Sequence, residues 1–253
     1  MSIRVDDILS RPLILDTSKH NGRLTAAQIQ STGCVMVIAR IGISWGYKDP
    51  EFDYYRTTCK AIGMPFTGYH VIYPSQSGIY QAENVKLIIK DNPGITKVPV
   101  FNDLELAQNV TANQMSDCCQ EFGEEIQRTY GGEKGIYSSY GFINAYMPRR
   151  PWFNDYYWWL AQVLNGGILH PGPYGVPIGL NNDRVAMIQN DWKGKIAGHN
   201  GDVDFSRWIW GDAELAWFTG KDQQEETKPE LTLEEQVEAN RKDIVKIKEI
   251  LGI

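Results

Sequence analysis

The chain has 253 residues, 42% of them hydrophobic, 11% aromatic and 22% charged, a composition that excludes a disordered or collagen-like chain and fits one large domain or a domain with an appendage. Its 25 Lys and Arg against 31 Asp and Glu leave a net charge of −6, which argues against nucleic acid as a partner because phosphate binding needs a basic surface. No run of about 18 apolar residues is present, so no membrane insertion is expected, and the acidic pair in MSIRVDDILSRPLILD is unlike a secretory signal.

Eight short apolar runs rich in β-branched residues read as strands: 12–16, 35–42, 65–73, 98–106, 135–140, 156–163, 184–191 and, more weakly, 202–208. Helical segments fall between the early ones, at 25–32 with Thr25 as cap, 51–62, 78–91, and 111–129 with Thr111 as cap and Gly131 just beyond. After residue 140 the helical signal fades, and 164–183 is rich in Gly, Pro and Asn. Strand and helix in alternation predict a parallel sheet, since parallel neighbours need a crossover. The expected fold class is α/β, a shortened TIM-like (β/α) barrel with mostly bare later strands. An open doubly wound sheet is the alternative, but the glycine-rich phosphate loops of such sheets are missing, which disfavours a nucleotide cofactor.

The barrel domain is expected to occupy 1–218, and the charged stretch 219–230 has the composition of a linker. Beyond it Leu233, Val237, Asn240, Ile244, Ile247 and Leu251 alternate spacings of four and three, a heptad seam with one polar member. Residues 231–253 are therefore expected to form an amphipathic coiled-coil helix that makes a homo-oligomer or holds a partner; docking on the barrel is the plainer alternative.

Active sites of barrels form where strands end, and the candidate strand ends are rich in carboxylates: Asp16 in the first, Asp103 and Glu105 in the fourth, Asp202 and Asp204 in the last. Residues two apart on a strand share a face, so Asp103 and Glu105 should point together toward the barrel mouth. Buried carboxylates are costly unless paired or protonated, so a cluster of them suggests function, either a hard cation or glycosidic cleavage. Aromatic residues near the same ends, Tyr69, Tyr73, Tyr137, Trp152, Trp158, Trp159 and Trp192, suit the apolar faces of sugars, and Gln189 is a further candidate for sugar contact or a structural bond. Lys19 and Arg40 are read as salt-bridge partners of nearby carboxylates. His20, His70, His170 and His199 lack ligand spacing, and Ser18, Ser138 and Ser139 lack a nucleophile elbow. No metal and no cofactor are expected. The four cysteines, none in a C-x-x-C pair, read as reduced.

The D-x-S-x-x-N-G string from Asp16 to Gly22, the D-x-E at Asp103 and Glu105, I-Y-S at 136–138, W-W-L-A at 158–161 and V-D-F near Asp204 occur in the order seen in glycoside hydrolase family 25 lysozymes. The chain resembles these muramidases over about residues 12–210. The resemblance implies a modified barrel and hydrolysis of the β-1,4 bond between N-acetylmuramic acid and N-acetylglucosamine in bacterial peptidoglycan. It matches Glu105 to the proton donor, Asp103 to its partner carboxylate, and Asp16 and Asp204 to two further pocket aspartates, with Asp202 competing for the last place. Cα atoms two apart on a strand lie roughly 6.5 Å apart, which leaves retaining, inverting and substrate-assisted routes open. Relatives often carry wall-binding repeats, and this chain has a linker and a heptad segment instead. A phage-type endolysin freed from the host cytoplasm by a holin, or a virion-associated lysin, is expected. An inactive glycan-binding or virion structural module, and a metal hydrolase on a similar barrel, are the competing readings.

Overall fold

A computed structural model describes residues 2–3, 7–90, 96–162 and 174–221. The heptad segment, nearly all of the linker and the first part of the 164–183 stretch lie outside the described residues.

The eight predicted runs form the eight barrel strands: β1 (Leu13–Thr17), β2 (Met36–Ile43), β3 (Phe66–Val71), β4 (Val100–Asp103), β5 (Lys134–Ser139), β6 (Tyr156–Ala161), β7 (Val185–Gly194) and β8 (Val203–Trp208). They pair in order and close, with β8 against β1. From β1 to β7 every pairing is parallel. The all-parallel sheet expected from sequence fails at β8, which runs antiparallel to both β7 and β1. The cause is length: a parallel crossover needs a dozen or more residues, and 195–202 is too short for one. As a result the start of β8, rather than its end, reaches the mouth where the parallel strands end.

Four helices stand where the periodicity places them, α1 (Ala26–Ser31), α2 (Phe52–Ala61), α3 (Gly78–Ile88) and α4 (Ala112–Tyr130). Thr25 and Thr111 close capping boxes with Gln28 and Gln114, so two orphan N–H groups at each helix start are satisfied. At the far end of α4, Gly131 caps at φ 70°, a left-handed conformation that glycine adopts without strain. The later strands are mostly bare, as expected, with two short helices beside them. Helices α5 (Tyr140–Tyr146) and α6 (Asp212–Phe218) are each seven residues long, too short for a periodic stripe to betray them. No described helix is long and apolar enough to cross a membrane.

Side-chain alternation divides the core in two. Outward residues such as Leu15, Val37, Ala39, Ile41, Trp158 and Leu160 pack with the helices. Inward ones, among them Ile14, Met36, Ile38, Phe101, Tyr137, Trp159, Met187 and Trp208, fill the barrel, as small barrels require. Cys34, Cys59, Cys118 and Cys119 are buried free thiols.

Candidate active site

Continuing the inward register one step toward the mouth replaces apolar side chains with polar ones. Ile14 is followed by Asp16 on β1, Ile38 by Arg40 on β2, Phe101 by Asp103 on β4 and Met187 by Gln189 on β7. On β8 the inward face reads Trp208, Ser206, Asp204 toward the mouth, and Asp204 is the cross-strand partner of Asp16. A cavity of about 300 Å³ opens above this layer. All four expected carboxylates, Asp16, Asp103, Glu105 and Asp204, line it, together with Tyr69, Tyr137, Trp159 and Gln189.

One expected position, Tyr73, and the competing aspartate, Asp202, fall elsewhere. Tyr73 is not among the residues lining the cavity; it is half-buried in the turn before α3, where its backbone N–H donates to Gln81 Oε1 at 2.9 Å. Asp202 is exposed and paired with Lys195, so of the two aspartates on the last run only Asp204 lines the cavity. Glu105 lies two residues past Asp103, but β4 ends at Asp103, so Asp103 is buried in the wall and Glu105 stands exposed at the rim.

Gln189 is the hub of the cavity wall. Its Nε2 donates to Asp16 Oδ2 at 2.8 Å, while its Oε1 accepts from Tyr137 Oη at 2.7 Å and from Trp192 Nε1 at 2.8 Å. Trp159 is locked separately, its Nε1 donating to Ser206 Oγ at 2.9 Å, and its ring packs on Tyr137 with centroids 4.5 Å apart. With 2% exposure Trp159 is cavity floor, whereas Trp192 is 45% exposed and supplies the open ring face. Trp192 is the site residue that strand-end aromatics suggest only in outline. A register shift at Gln189 and Asp191 turns it over the cavity, and such irregularities re-aim side chains beside active sites.

All four carboxyl pKa values are raised, and desolvation by the surrounding cavity walls is the first cause at each. Asp16 is held well above the carboxylate range by desolvation and then by the charge of Asp204, with Gln189 opposing. Asp204 is pushed up to about 7 by desolvation, opposed by its hydrogen bond with Asp16. The two carboxyls therefore titrate as a coupled pair, both held above the ordinary carboxylate range. At the second pair, desolvation and then the charge of Glu105 raise Asp103, and Arg40 opposes. Glu105 is raised by desolvation, again opposed by Arg40. Loss of water inside the cavity thus comes first at Glu105, and the repulsion between the two falls on the deeper Asp103.

Arg40 is a buried cation of the barrel interior. Its Nε donates to Asp49 Oδ2 at 2.7 Å with both side chains almost fully buried, as the salt-bridge reading expects. Lys19 departs from that reading, placing its ammonium 5.1 Å from the centre of the Tyr47 ring. Among the described residues no group of three or more His, Cys, Asp or Glu is arranged to hold a metal ion. The arrangement offers two pairs of carboxyls raised in pKa and an open indole face in one cavity. These are the parts of an acid-assisted glycosidic cleavage.

The family model of glycosyl hydrolases family 25 matches residues 15–172. Among solved structures, the chain is similar to a bacterial lysozyme from Streptomyces coelicolor, with a TM-score of 0.71 and 19% identity over 84% of this chain and 99% of that one. A family 25 lysozyme from Aspergillus fumigatus superposes with a TM-score of 0.68 and 20% identity, covering 83% and 99% of the two chains. An endolysin catalytic domain from a bacteriophage of Listeria monocytogenes gives 0.64 and 18%, covering 84% and 98%. No curated protein sequence matches the chain. With the family model spanning more than half of its length, the chain belongs to glycosyl hydrolases family 25.

Proposed function

We propose that the chain is a peptidoglycan hydrolase, an N-acetylmuramidase that cleaves the β-1,4 bond between N-acetylmuramic acid and N-acetylglucosamine. The observation that carries this reading is the Asp103–Glu105 pair at the end of β4, both lining the cavity and both shifted upward in pKa. Glu105, at the rim, donates its proton to the leaving glycosidic oxygen. Substrate seated against it removes the remaining water and raises its pKa further, so the acid is best protonated in the complex. Asp103 orients the acetamido group of the sugar, whose carbonyl oxygen attacks the anomeric carbon; water then opens the resulting ring, with Glu105 accepting the proton. Asp16, Asp204 and Gln189 form the polar wall that holds the reacting sugar, and Trp192 with Trp159 and Tyr137 supplies aromatic surface.

The phage setting is supported by the likeness to an endolysin catalytic domain. The enzyme reaches the wall from the host cytoplasm through a holin, or is carried on the virion. The heptad seam at 231–253 makes the oligomer or anchors the partner that raises local concentration at the wall. Identification of the reducing-end sugar released from peptidoglycan tests the specificity directly.

A further inference from the structure

Three features outside the cavity converge on one turn. The first is an exposed ring: Trp45 is 65% exposed, at the tip of the three-residue connection 44–46 between β2 and the short strand Tyr47–Lys48, which folds back on Gly42 and Ile43. Tight turns call for Gly, Asn or Asp, so nothing in the turn asks for an indole.

The second is strain. Ser44 adopts φ 60°, a left-handed conformation that a residue with a side chain adopts only when its surroundings impose it. Here they do. Its N–H donates to Val71 O at 3.0 Å, its Oγ donates to Gln76 Oε1 at 2.9 Å and accepts from Trp45 N at 2.6 Å, and its carbonyl accepts from Asn84 Nδ2 at 3.2 Å.

The third is a buried histidine that the cavity does not use. His70 on β3 is fully buried, stacked on Phe122 with centroids 5.4 Å apart, and its Nε2 donates to the same Ser44 carbonyl at 2.8 Å. Three elements thus fix a strained residue whose neighbour is held out into solvent.

The turn also lies close to the reacting carboxyls. Ile43, Val71 and Asp103 are in register across β2, β3 and β4. Strands lie about 4.8 Å apart, which puts Ile43 about 10 Å from Asp103 along the barrel wall. Two further residues carry the chain at most about 7 Å beyond that.

We propose that Trp45 is a distal glycan-binding platform, stacking on a sugar ring of the same β-1,4-linked N-acetylhexosamine strand whose scissile bond lies in the cavity. This inference rests on the muramidase reading. It accounts for a flat apolar surface rigidly displayed at the mouth of a site for a polymer longer than the cavity. Lys19, over the adjacent Tyr47 ring, lies beside the path of a strand that carries carboxylate substituents.

The test compares Glu105→Gln with Glu105→Gln/Trp45→Ala for binding of peptide-free glycan strands, short and long, by calorimetry, with melting temperatures in parallel. Expected is an affinity loss of about five- to tenfold for long strands and none for the shortest, with melting unchanged and Trp45→Phe retaining most of the affinity. In the otherwise native enzyme, Trp45→Ala raises KM on long strands and leaves kcat unchanged. Equal affinity of the two proteins at every length overturns the proposal. If the Glu105→Gln protein binds no strand of any length, the muramidase reading fails and this one with it.

Discussion

Gln189 Nε2 lies 2.8 Å from Asp16 Oδ2, a bond that joins β7 to β1 past β8, which stands between them. With Tyr137 and Trp192 on its other end, one amide sets the position of an acid, a phenol and the open indole. Gln189→Leu leaves Asp16 and Tyr137 with buried unpaired groups, each costing about 1–3 kcal/mol. The expected result is a lower melting temperature and a fall in kcat/KM of tenfold or more. Gln189→Glu adds a charge beside Asp16 and should be worse than Leu for activity at neutral pH.

Asp204 gives the site a signature in stability. Its folded pKa of about 7 lies above the ordinary 3.8, so the folded chain holds a proton that the unfolded chain releases. Stability from this group is full below about pH 4 and is lost as pH rises through about 7. Asp204→Asn removes that loss. The variant should be more stable than the parent at pH 8, by at most about 4 kcal/mol at about 1.4 kcal/mol per pKa unit and by less to the extent that solvent at the cavity mouth screens the charge, and the gap should close near pH 4. A gap independent of pH would show that the carboxyl is not strained by its surroundings.

Arg40 pulls down the pKa of both Asp103 and Glu105 while pairing with buried Asp49. Arg40→Met leaves Asp49 uncompensated and should destabilise by about 3–5 kcal/mol. Arg40→Lys retains the charge and should fold. In any Arg40 variant that lacks the charge and is still folded at the assay temperature, the alkaline limb of kcat/KM should move up in pH, because the acid keeps its proton longer. An unmoved limb would remove Arg40 from the account.

Much of this could be read from the sequence because barrel strands advertise themselves. The β-branched runs, the Thr25 and Thr111 caps and the D-x-E at the end of β4 are local signals, and local signals survive without the fold. Antiparallel β8 could not be read from its own residues, since V-D-F-S-R-W looks the same in either direction; only the short 195–202 connection carried the clue. In the sequence Asp204 is preferred to Asp202 only through the likeness of V-D-F to the family pattern; in the fold, pairing with Asp16 distinguishes them. Tyr73 looked like Tyr69 by composition, but a strand that ends at Val71 puts it in a turn. Trp192 needed the irregularity at Asp191, which no hydrophobic pattern encodes.

The 231–253 heptads make a prediction independent of the barrel. Deleting residues 229–253 should lower the mass measured by light scattering while catalytic turnover on soluble glycan stays the same. An identical monomeric mass with and without the segment would dispose of the coiled-coil proposal.

The most direct test of the account is chemical. Purified peptidoglycan is digested, the products are reduced with borohydride, and the new reducing-end sugar is identified by mass spectrometry. The account predicts muramitol ends from the native chain and their loss, by at least about a hundredfold, in a Glu105→Gln variant that melts like the parent. Glucosaminitol ends, or muramitol released undiminished by Glu105→Gln, would contradict it.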